Sequence, residues 1–112
     1  MPERLNTKRV VTESVQGADS YVVLKRATAD ETRTLYKLTR AMDKADDEGD
    51  KSYNAQRAFV ASHVLDWNWV WENGDAMPLP KDDPGVIGKL SDQELKSIVE
   101  GLLGPDAATL KN

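Results

Sequence analysis

His63 is the one histidine of this 112-residue chain, and there is no cysteine. A nucleophilic or metal-ligating set would therefore have to be completed by other residues around it, yet no Glu or His stands four positions away on the same helix. His63 is expected on a helix surface or at an interface. The run Asp46-Asp47-Glu48-Gly49-Asp50 has the acid density of a calcium loop. Aligning Gly49 with the invariant glycine of such a loop puts Lys44 at the first ligand position and Ala55 at the twelfth, so the register fails and a solvated acidic linker remains. Gly85-Val86-Ile87-Gly88-Lys89 lacks both the spacing and the following Ser or Thr of a phosphate-binding loop. Carboxylates are plentiful, but nothing pairs two of them as glycoside hydrolysis requires. The expectation is a chain that is not an enzyme and uses no cofactor and no metal.

What remains is the chemistry of recognition. Trp67, Trp69 and Trp71 recur every second residue, which sets all three indoles on one face of an extended arm. Their neighbours Asp66, Glu72 and Asp75 are acidic, the wrong sign for base stacking along a phosphate backbone. The indoles are then either core or an exposed aromatic patch for a protein partner. Arg33, Lys37 and Arg40 are spaced to share a helix face. Together with Trp67, Trp69, Trp71 and Leu79 they form the candidate protein-binding set. The net charge of −4 divides unevenly, at +3 over residues 1 to 40 and −7 over residues 41 to 112. An acidic chain of this kind is not expected to bind nucleic acid. No apolar run approaches the ~20 residues that span a bilayer, and no signal peptide begins at Met1, so a soluble intracellular protein with no membrane association is expected.

The elements that must position these residues follow from local signals. Asn73-Gly74 after the tryptophans predicts a type I′ turn and a return arm from Asp75 to Leu79, in which Pro78 and Pro80 allow at most a short edge strand. Arg9–Val15 and Ser20–Lys25 read as a second hairpin turning at Gln16-Gly17-Ala18-Asp19. Thr28 and Glu31 match a capping box opening a helix over 28 to 47, with Leu35, Leu38, Met42 and Ala45 on its apolar stripe and Gly49 as C-terminal cap. A helix over 53 to 65 follows, with Tyr53, Phe59, Val60 and Val64 apolar and Ala55, Ala58 and Ala61 admitting a close neighbour. Pro84 opens a single turn through Val86-Ile87. Ser91 and Glu94 cap a helix over 91 to 103, stapled by Leu90 and Leu95 and stopped at Gly104-Pro105. The fold class is α+β and predominantly helical, about three helices with two short β-hairpins. Residues 1–7 and 105–112 are expected as tails around one domain, 8–104. Its core is predicted from Leu35, Leu38, Phe59, Val64, Leu95, Ile98 and Leu102.

The order of these features resembles the tail assembly chaperones of long-tailed bacteriophages. The resemblance runs from Val22-Val23-Leu24 to Gly104, and its specific motif is Val64-Leu65-Asp66-Trp67-Asn68, Glu72-Asn73-Gly74 and Met77-Pro78-Leu79-Pro80. The chain departs from that pattern in its N-terminal hairpin and in Trp71, where the family more often has an acidic or polar residue. The resemblance implies a non-catalytic protein of the host cytoplasm that holds the tape-measure protein, recruits tail-tube subunits and leaves before the tail is complete; self-association is a further candidate contact. The competing readings are a structural tail or head-to-tail protein that stays in the virion, a general peptide-binding module, and, remotely, a small enzyme using His63 and a carboxylate. The family also implies a longer product made by backward ribosomal slippage. Leu110-Lys111-Asn112 is either an ordinary polar end or is encoded by an adenine run that permits it, and the codons decide.

Overall fold

Thr28 N–H donates to Glu31 Oε1 at 2.9 Å and Glu31 N–H donates to Thr28 Oγ1 at 3.1 Å, so the capping box read from the sequence is formed. Ser91 and Glu94 exchange the same pair of bonds, at 2.8 and 3.1 Å. These two boxes open the helices between which the rest of the fold is organised. The structure is a computed structural model that describes residues 6–41 and 47–110. In chain order its elements are β1 (Thr7–Val11), α1 (Glu13–Gln16), β2 (Tyr21–Lys25), α2 (Ala29–Ala41), α3 (Asp47–His63), β3 (Val64–Trp67), a 3-10 helix (Pro84–Lys89) and α4 (Asp92–Leu110). The fold is α+β and predominantly helical.

The three strands form one antiparallel sheet in the order β1-β2-β3. The N-terminal hairpin is present, but its first arm is shorter than the sequence suggests. Thr12 is buried and its carbonyl accepts from Val15 N–H and Gln16 N–H, so Glu13-Ser14-Val15 is a helical turn and not strand. At the other end Thr7 is already in β1, and the Asn6 carbonyl accepts from Arg26 N–H at 2.6 Å. Thr7 therefore belongs to the sheet and not to a tail, and Asn6 is held beside it by that bond.

The acidic run is also reassigned. Met42 and Ala45 lie outside the described residues, but Gly49 lies in the first turn of α3 and not at a helix C-terminus. Residues 47–50 form the first turn of α3, whereas the sequence predicts an acidic run that closes the preceding helix. The buried side of α3 carries Ser52, Gln56, Val60 and His63. Tyr53, Ala55 and Ala58 are exposed. The contact between α2 and α3 is partly polar, with Gln56 Nε2 donating to Thr39 Oγ1 at 3.1 Å. Val60 and Val64 are buried and Phe59 and Ala61 pack against the core, as their pattern predicts, but the N-terminal half of the face is polar and has no apolar period to read.

Val22 and Leu24 on β2, Leu35 on α2, Val60 and Val64, Trp67 and Trp69, Val86 and Ile87, and Ile98, Val99 and Leu102 on α4 make one core. Phe59 and Leu95 pack against it half-buried. Leu38 is half-buried and outside that cluster. α4 approaches the sheet closely at Gly101, where a Cβ would meet Leu24 Cδ1 at 3.0 Å and Val10 Cγ2 at 3.1 Å. Pro105 has no amide to give the Gly101 carbonyl, yet the helix continues past it to Leu110 and does not stop at Gly104-Pro105.

Two side-chain amides fix the tryptophan arm to the N-terminal hairpin. Beyond Trp67 the strand ladder ends, and Asn68 replaces it: Tyr21 N–H donates to Asn68 Oδ1 at 2.9 Å and Asn68 Nδ2 donates to the Asp19 carbonyl at 3.0 Å. Gln16 does the converse, accepting from Val70 N–H at 2.9 Å and donating to the Val70 carbonyl at 3.2 Å. Asn68→Ala is expected to lower stability by about 1 kcal/mol, because the freed groups are near solvent and can rehydrate. Urea unfolding measures this, and an unchanged midpoint would mean that the indoles alone hold the arm.

Candidate partner-binding surface

Trp67 and Trp69 are 6% and 1% exposed and stack with ring centroids 4.8 Å apart and planes 4° from parallel. Trp67 Nε1 donates to the Met77 carbonyl at 3.3 Å, and Trp69 Nε1 donates to Thr12 Oγ1 at 3.0 Å. Both indoles are therefore core and are withdrawn from the candidate contact set. The shared face read from their spacing is the buried one. Trp71 and Leu79 are half-buried against the core.

The turn after Trp71 differs from the expected type. Gly74 N–H donates to the Trp71 carbonyl at 2.9 Å and Trp71 N–H donates to the Asp75 carbonyl at 2.8 Å. Of the turn residues only Gly74 has positive φ, at 90°, so Asn73 is not in the left-handed region and the hairpin closes as a turn followed by a glycine bulge. Asn73 works through its side chain, whose Oδ1 accepts from Asp75 N–H at 3.0 Å. The return arm pairs at one bridge, Val70 with Ala76, as two prolines would allow. Trp71 forms part of a cavity of about 610 Å³ with Val15, Met77, Leu90, Lys89 and Glu94. Leu79 is not among its lining residues.

The basic set is brought together. Arg33, Lys37 and Arg40 line a groove of about 410 Å³ on α2 with Ala29, Thr32 and Tyr36. Tyr36 is 40% exposed, and the three cations are exposed. Among the described residues no carboxylate pairs with any of them. A row of unneutralised cations beside an open phenol suits an acidic segment carrying an apolar residue. No family model, curated protein or solved structure matches the chain. The groove and the Trp71 cavity share no lining residue.

His63 is not on the surface, as the sequence reading had it. It is 4% exposed and stacks on Phe59 one turn earlier, with centroids 4.3 Å apart. Nδ1 lies 2.8 Å from the Phe59 carbonyl and Nε2 lies 3.1 Å from Glu31 Oε2. Both partners are acceptors, so only the imidazolium can donate to both, while the neutral ring can keep Glu31 and accept from Ser62 Oγ, 3.0 Å from Nδ1. Glu31 thus caps α2 with one oxygen and holds the end of α3 with the other. Nothing in the spacing of residues 31 and 63 signals this pair. Among the described residues no three His, Cys, Asp or Glu side chains converge as a metal site.

The Thr28 amide holds the Glu31 carboxyl below the usual glutamate range; burial opposes it, and the Thr28 hydroxyl and His63 add smaller lowering effects. A depressed folded pKa means that the stabilisation is present above the unfolded value, about 4.3, and is lost as pH falls through the folded one. The melting temperature of Glu31→Gln should therefore fall less steeply than that of the parent as pH is lowered from about 5 toward 3. Parallel acid limbs would show that Glu31 takes no part in acid unfolding.

Proposed function

We propose that this chain is a non-catalytic tail assembly chaperone of a long-tailed bacteriophage, which binds the tape-measure protein and helps to recruit tail-tube subunits in the host cytoplasm. The observation that carries the reading is the order of Trp67-Asn68, Glu72-Asn73-Gly74 and Met77-Pro78-Leu79-Pro80 within one arm, followed by a capped terminal helix. The cationic groove of α2 supports it by offering a surface for an extended partner without any burial of charge. Trp71 and Leu79, the partly accessible apolar residues of the arm, offer a second and separate contact. No described helix is long and apolar enough to cross a membrane.

A chaperone leaves before the particle is finished, whereas a structural tail protein stays. Quantitative mass spectrometry of lysate and of purified particles separates the two. The chain is expected in the lysate during assembly and at far below one copy per purified particle. A fixed stoichiometric amount in purified particles would replace this reading with that of a virion component.

A further inference from the structure

The three-stranded sheet buries one face. Val22 and Leu24 are fully buried on the side where α4 packs, so Tyr21 and Val23 project from the other side of β2. The register then sets Arg9, Val23 and Asp66 in a row across the three strands, on that outer face. Val11 pairs with Tyr21 on the same face and is 71% exposed. Leu65 is the extra residue of the irregularity between the Val23–Asp66 and Leu24–Val64 pairs, and it is 37% exposed. The outer face is thus an apolar strip of Val11, Tyr21, Val23 and Leu65 with a cation at one edge and a carboxylate at the other. The Arg9 guanidinium lies 4.0 Å from the Tyr21 ring centre, so it leans inward from the β1 edge over the apolar strip. Among the described residues neither Arg9 nor Asp66 has an ion-pair partner. They stand two strand spacings apart, roughly 10 Å, too far to pair with each other across β2.

We propose that this outer face is the interface of a symmetric dimer of the chain, with the two-fold axis running along β2. The arrangement of charge selects both the partner and the axis. With the axis along β2, each sheet turns its β1 edge over the β3 edge of the other. Arg9 then faces Asp66 of the second copy, twice, and Val23 meets Val23 in aligned sheet packing about 10 Å apart. An axis across the strands would set Arg9 over Arg9 and Asp66 over Asp66 and is rejected by repulsion. The face measures roughly 17 Å by 14 Å, well below a standard interface, so a weak dimer that forms only at high concentration is expected. This inference does not rest on the chaperone reading.

Sedimentation of the purified chain over a concentration series up to roughly 1 mM tests it. The parent is expected in monomer–dimer equilibrium. Arg9→Asp alone and Asp66→Arg alone should each weaken association by more than about tenfold, since each sets like charges together twice. Mixed one to one, the two single variants should recover association as a heterodimer, because each then supplies the charge the other lacks. The mixture also controls for folding, as a variant that had lost its sheet could not be rescued. A parent that stays monomeric to roughly 1 mM, a single reversal that associates as the parent does, or a mixture no tighter than its components overturns the proposal.

Discussion

Trp69→Ala is expected to remove about 3 to 5 kcal/mol of folding stability, the largest loss from any single truncation in the aromatic arm. Against a total of roughly 5 to 15 kcal/mol for a domain of this size, such a loss leaves the variant partly unfolded near body temperature. The indole is almost fully enclosed, and its removal opens a cavity beside Trp67 and ends the stack between the two rings. It also strips Thr12 Oγ1 of the donor it accepts from. That hydroxyl in turn donates to Ser20 Oγ at 2.9 Å, so one of the links from the arm to the N-terminal hairpin is cut as well. Denaturant unfolding followed by far-ultraviolet circular dichroism gives the number. Trp71→Ala, at a half-buried position, should cost less than half as much. A loss below about 1 kcal/mol at Trp69 would mean that the stacked pair is not the centre of the fold.

The double reversal Arg33→Glu with Arg40→Glu is expected to weaken capture of an acidic partner by about tenfold to a hundredfold near 0.1 M salt. Four units of charge change on one exposed groove, and the Debye length there is about 10 Å, so the difference between parent and variant should shrink as salt is raised. Folding should survive. Both residues are exposed, and the one foreseeable cost is at Arg40, in the last turn of α2, where a carboxylate opposes the macrodipole by about 0.5 kcal/mol. Affinity measured at two salt concentrations, beside a melting curve, separates lost recognition from lost structure. Equal affinities would remove α2 from the contact surface.

The elements with strong local chemistry were legible in the sequence. Both capping boxes, the turn opened by Pro84, the N-terminal hairpin and the basic face of α2 are set by residues within a few positions of one another. What was not legible depends on long-range amide and hydroxyl contacts. Thr12 turns the chain inward because its hydroxyl meets Ser20 and Trp69, and a β-branched residue among valines reads as strand when those partners are unseen. Gln16 and Asn68 stand in for ladder pairs across more than forty residues, at 54 and 47 positions from the backbone they hold. The α3 boundary was misplaced because acids after one helix are also acids before the next. Of the candidate contact set, Arg33, Lys37 and Arg40 do line one surface. The spacing of Trp67 and Trp69 gave a shared face without saying whether that face was buried.

Co-expression of the tagged chain with a tape-measure protein of a long-tailed bacteriophage, followed by affinity purification, tests the proposed function most directly. The tape-measure protein is expected to stay soluble and to be captured with the chain, and both effects are expected to weaken with the Arg33→Glu and Arg40→Glu reversals. A tape-measure protein that is equally soluble without the chain and is never captured by it would contradict the account.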